Sequence, residues 1–294
     1  MWLHHHERSR IGGSLVAVFC TAFSIGARAE TNIVFGAYNS DKPSAMVAQL
    51  RPTLDLLEKN ATEEIGRPVK IRLQITRGYD DGVDLIVNKT VDIMRLGAAS
   101  YVTAKQQSPG MEILALEQIR GAKEFKGIIA VHKESKLASI QDLTGRTFAF
   151  GDKDSTIGRY LSQLELMRAS VYARNLSRFE YLGRHDAVGA AVGAKLFDAG
   201  ALEETTFHKL VSEGTPIRVL HSFPNVTKAW VARASMDEKI VKGLQRALLR
   251  ISDPDVLHAL RFDGFLPGSD EDYAFIRQAL LTNGRFLDGQ SARP

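Results

Sequence analysis

Apolar positions along the first hundred residues change rhythm in a regular order. Ile33 to Tyr38 is a nearly continuous apolar run and reads as a buried strand. Asn39-Ser40-Asp41-Lys42-Pro43 then reads as a helix entry with Pro43 near the first turn. Val47, Leu50, Leu54, Leu57 and Ala61 follow at spacings of three and four, one face of a helix that Pro52 is expected to kink. Val69, Ile71, Leu73 and Ile75 alternate as a strand, Tyr79 to Asn88 reads as a short helix, and Val91 to Leu96 as a buried strand ending at Gly97. A β-α-β-α-β order predicts a parallel sheet with crossover helices.

A second α/β unit begins after two strand-like runs, Ile113–Leu116 and Gly127–Val131. It comprises a strand at Thr147–Phe150, a helix from about Thr156 to Ala169, strands at Arg178–Tyr181 and Phe197–Ala201, and a helix from His185. Ile217–His221 and Ala229–Ala232 read as strands leading back to the first unit, followed by an amphipathic helix over Met236–Ile251 and a polar-rich tail containing Tyr273. The expected organisation is therefore two α/β lobes, residues 30–122 with 222–294 and residues 123–221, the second inserted into the first. Two crossovers between such lobes describe a hinge-bending receptor with its ligand in the cleft.

The N-terminus changes the picture of where this occurs. Arg8 and Arg10 precede an uncharged apolar stretch from Ile11 to Ile25, and Ala27-Arg28-Ala29 fits a small-x-small cleavage pattern. The stretch is shorter than the ~20 residues of a spanning helix. Residues 1–29 therefore read as a signal peptide cleaved after Ala29, with a periplasmic mature protein. Cleavage removes three of the 38 basic and one of the 34 acidic residues, leaving 35 and 33 and a charge near +2. It also removes Cys20, the one cysteine, so no disulfide or thiolate site is expected. Basic residues are scattered rather than massed, which gives no support for a nucleic-acid partner.

Candidate chemistry concentrates in Phe148 to Tyr160 (FAFGDKDSTIGRY) and in Gly183 to Val192 (GRHDAVGAAV). Each delivers small polar residues to a helix start, where backbone N–H groups are unpaired and the macrodipole is positive. Ser155, Thr156 and Gly158 suit an oxyanion cradle, and His185 stands at the second helix start. Taken alone, Ser155 and Thr156 also read as ordinary helix caps, and His185 as a surface residue. The order Ser155, His185, Asp198 permits an exported hydrolase, but no Gly-x-Ser-x-Gly elbow surrounds Ser155. His132, His185, His208 and His221 have no metal-ligand spacing, so neither metal nor cofactor is expected.

Four blocks together carry a family resemblance: Tyr38–Pro43, Val91–Ala104, Asp142–Gly158 and His185–Ala201. From about Ile33 to Ala279 the chain resembles the phosphate/phosphite/phosphonate-binding proteins of ABC importers, with the two-lobe type II periplasmic binding fold. The resemblance implies a non-enzymatic receptor that passes a small phosphorus oxyanion to an inner-membrane permease. A monomer is expected, and a sensor kinase is the alternative partner. By position, the residues implied to meet the ligand are Tyr38, Ser100, Tyr101, Ser155, Thr156, Gly158, His185, Asp186 and Asp198. Ile157 stands where the family usually has a further Ser, Leu96 where an aromatic is common, and Arg95 and Arg184 add charge at small or apolar positions.

Overall fold

The computed structural model describes residues 1–2, 29–38 and 43–288. The apolar leader, Cys20 and the Asn39–Lys42 helix entry lie outside the described residues. The first segment runs through β1 (Thr31–Tyr38), α1 (Pro43–Ile65), β2 (Val69–Thr76), α2 (Tyr79–Val87), β3 (Ile93–Leu96), α3 (Ala98–Gln107) and β4 (Glu112–Gln118). The second holds β5 (Glu124–His132), β6 (Thr147–Phe150), a π-helical turn (Thr156–Leu161) running into α4 (Ser162–Arg168), β7 (Arg178–Tyr181), α5 (His185–Gly193), β8 (Ala199–Glu203), α6 (Glu204–Ser212) and β9 (Ile217–Val226). The chain then returns as β10 (Ala229–Ala232), α7 (Glu238–Leu249), α8 (Pro254–Ala259), β11 (Gly264–Leu266), α9 (Ala274–Thr282) and α10 (Arg285–Asp288).

These strands build two sheets, ordered β11-β4-β10-β3-β1-β2 and β7-β6-β8-β5-β9. The parallel arrangement expected of the opening βαβαβ unit holds for β1, β2 and β3. Beyond them the sheet is mixed, because β10 runs antiparallel to both β3 and β4. The strand expected at Ile217–His221 continues to Val226, pairing with β5 as far as Glu124. The crossing back to the first sheet therefore falls after Val226 rather than at residue 222.

Burial explains why α1 forms and how it sits. Leu50, Leu54, Leu57 and Ala61 are fully buried, packed with Leu244, Ala247 and Leu248 of α7 against the first sheet. Val47 is 47% exposed, and Met46 takes the buried place beside it. The helix continues through Pro52. In the same sheet Arg95 makes a two-point contact to Glu117, Nε–Oε1 2.5 Å and Nη2–Oε2 3.0 Å, and Trp230 Nε1 donates to the same carboxylate at 3.0 Å. This pairing accommodates the strand arginine in the interior.

The two crossovers lie side by side. Thr227 N donates to Lys123 O at 2.8 Å, and Glu117 N to Lys228 O at 3.1 Å. The tail adds a third tie between lobes. Tyr273 donates its hydroxyl to Thr227 O at 3.0 Å, while Phe286 packs on Phe150 and Phe179 of the second lobe at centroid distances of 5.6 and 6.0 Å. Asn283 Nδ2 also donates to Gln163 Oε1 at 2.9 Å.

Candidate functional site between the lobes

The carboxyl ends of β6 and β8 lie next to each other, because the two strands run parallel in register Phe148 with Ala199. Chain leaving β6 turns at Gly151 and enters the π-helical turn at Ser155. There Ser155 Oγ accepts from Gly158 N at 3.0 Å, capping the helix. Ser155 O accepts from both Arg159 N and Tyr160 N, which widens the first turn. Gly158 must be glycine: a Cβ there would stand 2.8 Å from the Gly151 Cα, backbone against backbone.

From the opposite lobe α3 points its N-terminus at the same place. Its first residues, Ala98, Ala99 and Ser100, are small and buried, so the helix end comes close to the second lobe. Ala99 N donates to Thr156 Oγ1 at 2.8 Å, a direct bond across the cleft. Gly97 N donates to the Tyr38 hydroxyl at 2.5 Å, and the Tyr38 ring lies 4.3 Å from that of Tyr79. Burial pushes both phenols up. For Tyr79 the neighbouring Tyr38 adds to the rise and a hydrogen bond with Ser155 works against it; for Tyr38, Ser100 and Gly97 hydrogen bonds oppose it.

Between these ends is a cavity of about 30 Å³, lined among others by Tyr38, Tyr79, Ser155, Thr156, His185 and Glu203. Glu203 is the last residue of β8, and Lys228 Nζ donates to its Oε1 at 3.2 Å across the crossover. Burial raises the Glu203 carboxyl, but Lys228, His185 and Arg95 together pull it down to about 2, so it is ionised at any physiological pH. Asn225, 3% exposed, also lines the cavity, and its Oδ1 has no hydrogen-bond partner among the described residues. A buried amide oxygen without a donor is costly and calls for one.

Residues 35–273 match the family model of phosphonate periplasmic substrate-binding proteins of ABC transporters. The chain belongs to this family. Its partners in kind are accordingly a small ligand and an ABC permease. A similar sequence is a probable ABC-transporter phosphite-binding protein, PhnD1 of Prochlorococcus marinus MIT 9301, 28% identical over 70% of this chain and 74% of that protein. The fold matches the structure of PhnD1 in complex with methylphosphonate, with a TM-score of 0.75, 23% identity, and coverage of 87% of this chain and 99% of that one. It also matches the aliphatic sulphonate-binding protein SsuA of Escherichia coli, with a TM-score of 0.60 and 17% identity over 87% of this chain and 92% of that one.

Within this phosphonate-binding family member, the residues singled out in the sequence divide in two. Tyr38, Ser155, Thr156 and His185 line one cavity. Gly158 supports the turn from behind, and Ser100 sits beside the Tyr38 phenol. Tyr101 instead turns to the tail: its hydroxyl donates to Asp270 at 2.9 Å and its ring packs on Tyr273 at 4.4 Å. Asp186, half-buried in the first turn of α5, pairs with Arg184 at 2.9 Å and accepts from Ala187 N at 2.9 Å, and it does not line the cavity.

Asp198 is a correction. It precedes β8, accepts from Thr147 N and Oγ1 at 2.8 and 2.9 Å, and so ties the starts of β8 and β6 together. Five residues of strand, about 16 Å, separate it from the cleft end. Ser155, His185 and Asp198 therefore do not assemble as a triad. The acid that reaches the cleft is Glu203, at the carboxyl end where open α/β sheets bind ligands. Applied to the predicted strand at Phe197–Ala201, that rule points two residues further along. Tyr79, Asn225 and Lys228 line the same cavity and carry no motif that marks them in the sequence. Lys228 lies in the short link between two strands, where no local pattern distinguishes it.

Ile157 is 3% exposed and shared between the cavity wall and the core, and Leu96 is fully buried at the end of β3.

Proposed function

We propose that this receptor captures a small phosphorus oxyanion, a phosphonate or phosphite, in the cavity between α3 and the Ser155 turn. The observation that carries this reading is the meeting of two helix N-termini from opposite lobes, bridged by Ala99 N and Thr156 Oγ1 at 2.8 Å. Converging helix ends concentrate backbone N–H donors and positive potential where an anion gains most. Thr156 Oγ1 accepts from Ala99, which leaves its own O–H to donate to the ligand. Ser155 Oγ accepts from Gly158 N as a cap, and its hydroxyl hydrogen-bonds the Tyr79 phenol, so Ser155 holds that ring on the cavity wall.

Glu203 selects among anions. An ionised carboxylate beside an anionic ligand is tolerable when the ligand carries a hydrogen to donate. A phosphonate or phosphite monoanion keeps an O–H donor; a sulfonate has none. The Asn225 carbonyl offers a second acceptor for such a donor. His185, at the start of α5, supplies a donor to the oxygens and balances Glu203.

Binding to both lobes at once favours the closed arrangement, and the permease reads that arrangement. Export precedes this: residues 1–29 act as the leader and are removed after Ala29. A thermal-shift panel of phosphite, methylphosphonate, phosphate, sulfate and methanesulfonate on residues 30–294 tests the reading. Phosphite or methylphosphonate at 100 times its dissociation constant raises stability by about 2.7 kcal/mol, and the sulfur acids leave it unchanged. A shift with sulfonates alone would contradict the proposal.

A further inference from the structure

The small cavity has two neighbours, and a single side chain stands on the wall of all three. Phe125, the second residue of β5, is 8% exposed. It lines the cavity of about 30 Å³ at the helix ends, a side chamber of about 60 Å³, and an open hollow of about 340 Å³ beside the crossovers. Glu203 and Lys228, paired at 3.2 Å, are the other two residues shared by the small cavity and the side chamber. The partition is thus one aromatic ring and one ion pair.

The two compartments differ in chemistry. On the near side are the helix ends and the hydroxyls of Ser155 and Thr156. On the far side the walls carry Arg95, Glu117, Gln49, Thr205 and Arg261. Arg95 spends its Nε and Nη2 on Glu117, so part of its donor fork remains for a guest. The side chamber is therefore a polar space, suited to a polar substituent and closed to it by Phe125.

We infer that Phe125 sets the permitted size of the group attached to phosphorus, confining the receptor to hydrogen- and methyl-substituted oxyanions, and that the chamber behind it would take a hydroxyl- or carboxyl-bearing substituent once the ring is removed. This rests on the proposed reading of the small cavity as the oxyanion site. The ring is set by its place on β5, opposite Asn225 on β9 and two residues before β5 also pairs with β8 at Gly127, and by burial in the core. Its rotation out of the partition has to displace packed neighbours.

The test measures dissociation constants of phosphite, methylphosphonate and phosphonoacetate for wild type, Phe125→Ala and Phe125→Leu, with thermal melts to show that each variant is folded. Wild type prefers methylphosphonate over phosphonoacetate by about tenfold or more, a discrimination typical of a tight pocket wall. Phe125→Ala narrows or inverts that ratio by about tenfold; Phe125→Leu lies between and serves where Phe125→Ala does not fold. An unchanged ratio in a folded variant overturns the inference and leaves the functional reading intact. Failure of wild type to bind any of the three probes overturns the functional reading, and the inference with it.

Discussion

The backbone N–H of Ala99 and the hydroxyl of Thr156 meet across the cleft at 2.8 Å, each from a different lobe. The Thr156 hydroxyl oxygen bridges the lobes, and in the proposed reading its proton is donated to the ligand between them.

Thr156→Val separates these roles from simple packing, since it keeps shape and deletes the hydroxyl. Losing a charge-assisted hydrogen bond to an oxyanion costs about 1.5–3 kcal/mol, roughly 10- to 150-fold in affinity. Calorimetry with methylphosphonate should show that loss. The buried Ala99 N–H loses its acceptor in this variant, so the ligand-free protein should be destabilised by about 1–3 kcal/mol as well. A large stability loss with unchanged affinity would reduce Thr156 to a structural residue.

Glu203 predicts a specific acid sensitivity. Its carboxyl titrates at about 2 in the folded protein against an ordinary 4.5. A depressed carboxyl stabilises the fold above its unfolded value, and that contribution is lost as pH falls from about 4.5 toward about 2. Each unit of depression corresponds to about 1.4 kcal/mol. The melting temperature of wild type should therefore fall more steeply across this window than that of Glu203→Gln, although the variant starts lower because Lys228 loses its partner. Parallel curves would remove Glu203 from the buried ion pair.

The tail should matter more than its position near the C-terminus suggests. Phe286 is fully buried between Phe150 and Phe179. Truncation of a buried Phe costs about 3–5 kcal/mol, so Phe286→Ala should lower chemical-denaturation stability by that order. A change under about 1 kcal/mol would mean that the tail does not hold the second lobe.

The leader makes a prediction that mass spectrometry reads directly. Exported protein should begin at Glu30. A start at a modified Cys20 would place the receptor on a lipid anchor instead.

Much of this architecture is legible in the pattern of apolar residues, and its failures have physical causes. The face of α1 is readable because Leu50, Leu54, Leu57 and Ala61 all pack on one sheet. Its first turn is misread at Val47, since a spacing rule does not register that Met46 reaches the core there. Helix α3 has no amphipathic stripe, because Ala98, Ala99 and Ser100 are chosen for close approach to the opposite lobe rather than for burying one face. The glycine-bounded turn at Ser155 and Thr156 is legible because caps and oxyanion cradles use the same residues. Asp198 and Glu203 show the limit: one acid precedes β8 and the other ends it, and only the strand's place in the sheet tells which faces the cleft.

The central claim is that the inter-lobe cavity recognises a phosphorus oxyanion by its hydrogen as well as its charge. Isothermal titration of residues 30–294 with methylphosphonate and with methanesulfonate, at the same pH and ionic strength, tests it most directly. The two ligands share a methyl group and an anionic tetrahedral head, and differ in the O–H that Glu203 and Asn225 would accept. Saturable binding of methylphosphonate with at least ~100-fold weaker binding of methanesulfonate is the predicted result, a selectivity within reach of a site built to accept a ligand hydrogen. Equal affinity for the two, or binding of methanesulfonate only, would contradict it.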